Sequence, residues 1–102
     1  MKKEEFIIEC VGTPILGSVC SFAHDHAIFK MIDFLKKLEK ACDFSYNIEN
    51  IHCGGEGKLP VECCEVAVTF EVSEEEKTES IAELLEQCIE ETAYEGICWK
   101  QR

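Results

Sequence analysis

Between residues 62 and 95 the chain almost lacks basic side chains: twelve acidic residues stand there against one lysine, Lys77. The remainder of the 102 residues holds nine acids and nine bases, so the whole net charge of −11 is carried by one segment. Such a shortage of Lys and Arg excludes direct binding of nucleic acid, because phosphate contacts need cations. Also missing is any apolar run near the ~20 residues of a membrane span. The start, Met-Lys-Lys-Glu-Glu, meets two acids at once and has no extended apolar segment, so it does not read as a signal peptide. These absences make the cytoplasm the expected address. No Cys-x-x-Cys pair occurs among the eight cysteines, which removes the usual spacing of a zinc site. Gly12 and Gly17 are spaced like the glycines of a phosphate-binding loop, but Ser18 stands where that loop needs lysine, and the motif is excluded.

What is present describes one globular domain over residues 1–102, with 46% apolar and 30% charged residues. In a secreted chain the eight cysteines would suggest four bridges. Cys10 and Cys64, however, fall at apolar positions of strands, and Cys42 and Cys88 on apolar helix faces. They read as reduced cysteines acting as small hydrophobes.

Periodicity orders the elements. Residues 5 to 11 alternate as a first strand. Asp25 is placed to cap a helix running to about Cys42, with Ile28, Met31, Ile32, Leu35, Leu38 and Cys42 recurring at helical spacing and Lys30, Lys36, Lys37 and Lys40 opposite. Tyr46 to Cys53 and Val61 to Val72 read as the second and third strands, joined across Gly54-Gly55-Glu56-Gly57. In the third, Cys64, Val66, Val68, Phe70 and Val72 share one face. Thr78 or Ser80 opens a second helix with Ile81, Leu84, Leu85, Cys88, Ile89 and Thr92 inward; Gly96 ends it, and Ile97 to Lys100 forms a last strand. This order predicts an α+β fold, a ferredoxin-like βαββαβ two-layer sandwich with two helices on one face of a four-stranded antiparallel sheet, the first and third strands central.

The second helix carries the excess charge in a definite geometry. Glu79, Glu83, Glu86 and Glu90 follow at steps of four, three and four, which puts them in one row, and Glu74, Glu75 and Glu76 lead into it. Neighbours in the row are roughly 5–6 Å apart along the axis, comparable with phosphate spacing. One reading is a solvated face that keeps a small protein soluble. The other is a surface that occupies a cationic groove of a partner, with these seven glutamates as the partner-binding residues.

The long connection from Gly12 to Asp25 is the second candidate region. Cys20, His24 and His26 could supply zinc ligands, and Cys20 with His24 has the residue types of a nucleophile and its base. His24 and His26 also flank the expected cap, where polar residues need no metal to explain them. Val11-Gly12-Thr13-Pro14 after the first strand, with the element order, resembles the ACT regulatory domain, a ferredoxin-like module that binds amino acids at dimer interfaces. That resemblance implies a small-molecule site at Gly12, Thr13 and Gly17.

Together these features lead to the expectation of a non-enzymatic acidic interaction protein without a cofactor. Its partner would be a basic, nucleic-acid-handling protein that it inhibits by mimicry. In size and charge it resembles the anti-CRISPR and other anti-defence proteins. ACT-like sensing and Cys/His zinc binding stand as alternatives. A homodimer is a further expectation, through the outer sheet face bearing Ile7, Val11 and Ala67 beside Glu9, Glu65 and Glu71.

Overall fold

A computed structural model describes residues 2–12, 26–43, 45–54, 57, 62–73, 78–92 and 94–102. The elements run β1 (Lys2–Val11), α1 (Ala27–Ala41), β2 (Ser45–Cys53), β3 (Cys63–Val72), α2 (Thr78–Thr92) and β4 (Ile97–Gln101). All three strand pairings are antiparallel, and the sheet order is β2-β3-β1-β4, so the first and third strands are central as the element order predicts. Both helices serve one face: α1 rests on β1 and β3, and α2 packs on α1 and reaches β4.

The core lies between the layers. From the sheet it takes Phe6, Ile8, Cys10, Cys64, Val66, Val68, Phe70 and Val72; from the helices it takes Ala27, Met31, Phe34, Leu38, Ile81, Leu85 and Cys88. Alternation explains the first set, since every second strand residue points to the same face. Phe6 and Phe70 meet edge to face with ring centroids 5.8 Å apart, a geometry that adds about 0.5–1.5 kcal/mol to their burial. The cysteines behave as expected of small hydrophobes: Cys10, Cys64 and Cys88 are buried, and burial pushes their thiols up to about 12, 12 and 11.

Three local expectations need correction. The cap of α1 is His26, whose extended backbone precedes the first turn and whose Nδ1 accepts from the Ile28 N–H at 3.2 Å; Asp25 lies outside the described residues. Ile32, expected inside, is 44% exposed, and Phe34 takes the buried position. Lys30, expected on the solvent side, is 3% exposed. Its aliphatic stem crosses the core edge, and Nζ donates to the Val11 carbonyl at 2.7 Å and the Glu95 carbonyl at 2.8 Å. The same junction holds Gly96 at φ +81°, where a Cβ would lie 2.8 Å from the Val11 oxygen. Lys30 and Gly96 thus lock the end of β1 to the turn before β4.

Candidate functional site

The exposed large apolar side chains are not scattered. Among the described residues they are Val11, Phe29, Ile32, Ile48 and Ile51, and four of the five lie on α1 or β2. Among the described residues β2 is an edge strand, paired with β3 alone, so its other side presents backbone N–H and C=O groups that no described strand pairs. Seven of its nine residues are exposed, and only Tyr46 and Cys53 are half-buried.

A β-bulge sets which way β2 faces. Ile48 pairs with Val68, but Asn50 pairs with Ala67, leaving Glu49 as the extra residue. Residues three apart on a regular strand point to opposite faces; the bulge resets the alternation. Tyr46, Ile48, Ile51 and Cys53 therefore stand opposite Phe70, Val68, Val66 and Cys64, all on the helix-covered face. The helix layer nevertheless stops short of the middle of β2, where Ile48 is 38% and Ile51 56% exposed. On α1, Phe29 and Ile32 are also open to solvent, at 45% and 44%. The result is a backbone edge flanked by uncovered apolar side chains.

The outer sheet face is of another kind. It carries Glu5, Glu9, Glu65 and Glu71 with Lys3, Lys100 and Arg102, and Glu9 stands directly opposite Glu65. A shallow depression of about 320 Å³ there is bounded by Lys3, Glu5, Glu49, Thr69 and Arg102. Ion pairs of Arg102 with Glu5 and of Lys3 with Glu71, both at 3.9 Å, lie beside it.

The acidic residues proposed from the sequence fall into two groups. Glu79, Glu83, Glu86 and Glu90 are all exposed on α2, as the spacing requires. Glu86 is engaged within the fold, accepting from the Trp99 indole N–H at 2.7 Å and so tying α2 to β4. Glu74, Glu75 and Glu76 lie outside the described residues. So do Thr13 and Gly17 of the small-molecule site and Cys20 and His24 of the zinc set. Gly12 donates its N–H to the Glu62 carbonyl at 2.8 Å, continuing the β1 to β3 ladder. His26 is the α1 cap. Among the described residues no three His, Cys, Asp or Glu side chains converge on a metal position.

A family profile described as the peptidase dimerisation domain, M20 type, matches residues 5–97. The chain belongs to that family. Solved structures share the fold at low identity. A hydantoinase/carbamoylase family amidase from Burkholderia ambifaria superposes with a TM-score of 0.77 at 8% identity, covering 98% of this chain and 27% of that one. An amidase of the same kind from Burkholderia phymatum gives 0.71 at 12% identity, covering 97% and 27%. The aminobenzoyl-glutamate utilization protein from Klebsiella pneumoniae gives 0.64 at 14% identity, covering 98% and 27%. The chain thus spans about a quarter of the length of the solved structures it matches. No curated protein matches it.

Family membership overturns the acidic inhibitor. The chain belongs to a dimerisation-domain family and is not an anti-CRISPR-type nucleic-acid mimic, and the basic, nucleic-acid-handling partner inferred from Glu74 to Glu76 and the Glu79 to Glu90 row falls with it. A run of like charges shows only that a face is solvated; it does not specify what binds there. The ACT-like and zinc-binding readings of function are superseded by the same match. The ACT domain shares the βαββαβ order, and topology alone does not separate families built on one fold. Missed from the sequence was the β2 edge: a strand without Lys, Arg or Pro gives no sign of standing at an edge, and its two isoleucines out of alternation mark only the bulge.

Proposed function

We propose that this domain is a self-association module, joining two copies of the polypeptide that carries it edge to edge through β2. The description of its family supports association as its role, and the supporting observation on the chain itself is the uncovered apolar edge at Ile48 and Ile51. A twofold axis places identical strands antiparallel, so two β2 edges pair their free N–H and C=O groups and fuse two four-stranded sheets into one.

The outer sheet face is less suited. Stacking it on its own copy would bury Glu5, Glu9, Glu65 and Glu71 together with Lys3, Lys100 and Arg102, and the cost of taking these charges out of water opposes such a contact. The module's contribution to an enzyme of the peptidase or amidase kind is then to fix two copies relative to each other. The free cysteines suit a reducing compartment, and we place the protein in the cytoplasm.

Sedimentation equilibrium of the chain tests this reading. A dimer that the double substitution Ile48→Lys/Ile51→Lys converts to monomer, with circular dichroism unchanged, supports pairing through β2. A dimer that survives this change but is lost on Ala67→Arg assigns the outer sheet face instead.

A further inference from the structure

Independently of how copies associate, β2 and β3 bring two thiols together at one end of the sheet. Cys53 closes β2, Cys64 lies at the start of β3, and the two are register partners with Sγ atoms 3.1 Å apart. The neighbouring pair defines their position in the ladder. Gly54 donates its N–H to the Cys63 carbonyl at 3.0 Å, which makes Gly54 and Cys63 the hydrogen-bonded pair and Cys53 and Cys64 the adjacent non-hydrogen-bonded one. At such positions Cα atoms approach to about 4.5 Å, inside the range a disulfide spans.

We propose that Cys53 and Cys64 form a redox-active pair, oxidised to an intramolecular disulfide by low-molecular-weight disulfides of the glutathione class. Access decides the order of events. Cys64 is 2% exposed, whereas the Cys53 side chain at the end of β2 is half-buried. The Cys53 thiolate attacks one sulfur of glutathione disulfide; a mixed disulfide forms and one glutathione thiolate leaves. Cys64 then gives its proton to solvent and attacks the Cys53 sulfur, expelling the second glutathione. Two cysteine thiols are oxidised and one glutathione disulfide is reduced to two thiols. Burial raises the Cys64 thiol to about 12, so the closing step is slow at neutral pH and accelerates as pH rises.

The other nearby thiols are worse placed. Cys10 opposes Cys64 from β1, but the Gly12 N–H to Glu62 carbonyl bond two residues away makes that pair the hydrogen-bonded, more widely spaced kind. Both of its members are buried. Cys63 points to the opposite sheet face by alternation, its thiol directed at the Gly54 carbonyl at 3.5 Å.

The test uses the full reduced chain incubated with glutathione disulfide at pH 8, then alkylated while denatured and cleaved after lysine. Cleavage leaves Cys53 in the peptide 41–58 and Cys64 in 59–77. The expected product is these two peptides joined, with fragmentation assigning the bond to Cys53 and Cys64, and a melting temperature raised by roughly 10 °C that returns on reduction. Cys53→Ser abolishes the linked product, while Cys42→Ser and Cys63→Ser retain it. Glutathione remaining on Cys53 without closure, the linked product persisting in Cys53→Ser, or oxidation of another pair in preference would each overturn the proposal. The wild-type peptide map decides the matter even if a Cys64 variant fails to fold.

Discussion

The two edges of the sheet are built differently. β4 is five residues long, places Lys100 near its end and is followed by Arg102, whose guanidinium meets Glu5 on the neighbouring strand; its N–H and C=O groups are short in number and guarded by cations. β2 is nine residues long and has one charged side chain, Glu49, which is spent on the bulge. Proteins that must stay apart protect long edges with lysine, proline or a covering loop. Here one edge is protected and the other is left open beside apolar side chains, and that asymmetry is what supports the proposal that a second copy attaches at β2.

The largest effect is expected from giving β2 the protection β4 has. Ile48→Lys/Ile51→Lys should weaken self-association at least about 100-fold, because each lysine must be desolvated in the paired state. Sedimentation equilibrium reads this directly, and an unchanged dissociation constant would refute pairing through β2. The converse change, Lys100→Ile on β4, should leave the dimer constant within about threefold, since a five-residue edge offers few bonds.

Next come changes to the frame that holds β4 and β1 together. Lys30→Met leaves the Val11 and Glu95 carbonyls without their ammonium donor and should cost about 2–3 kcal/mol in urea unfolding. Gly96→Ala forces a Cβ against the Val11 oxygen at positive φ and should cost about 1–3 kcal/mol. In both cases the dissociation constant for β2 pairing should hold, because the junction lies at the β4 side of the sheet.

The smallest effects belong to the acidic row. Glu79→Lys/Glu83→Lys/Glu90→Lys removes like-charge neighbours on an exposed face, and the melting temperature should rise by no more than about 3 °C. Self-association should not change. Glu86→Ala should stand apart from its neighbours, losing about 1 kcal/mol with the Trp99 indole bond. If all four glutamates behaved alike, Glu86 would be no more than part of the charged face.

Much of the fold was legible in the chain because it rests on local rules. Alternation in β3 named Cys64, Val66, Val68, Phe70 and Val72, and all five are buried. The apolar spacing of α2 placed Ile81, Leu85 and Cys88 inside for the same reason. The open apolar edge of β2 was not legible. Whether a strand is an edge depends on which strands flank it, and β2 looks no different from a central strand when read alone. The bulge at Glu49 further hid that Ile48 and Ile51 share a face. Lys30 was misread because a helical position gives the direction of a side chain and not the length over which its stem can lie buried before its charge finds two carbonyls.

By itself the sequence determined the class: an acidic α+β chain whose periodicities of two and 3.6 residues can only be satisfied by burying one sheet face under two helices. Tertiary structure alone decided which strand became the open edge, which apolar residues the helix layer failed to cover, and which two of the described cysteines came within 3.1 Å. Those outcomes depend on contacts between residues far apart in the chain, and no local pattern encodes them.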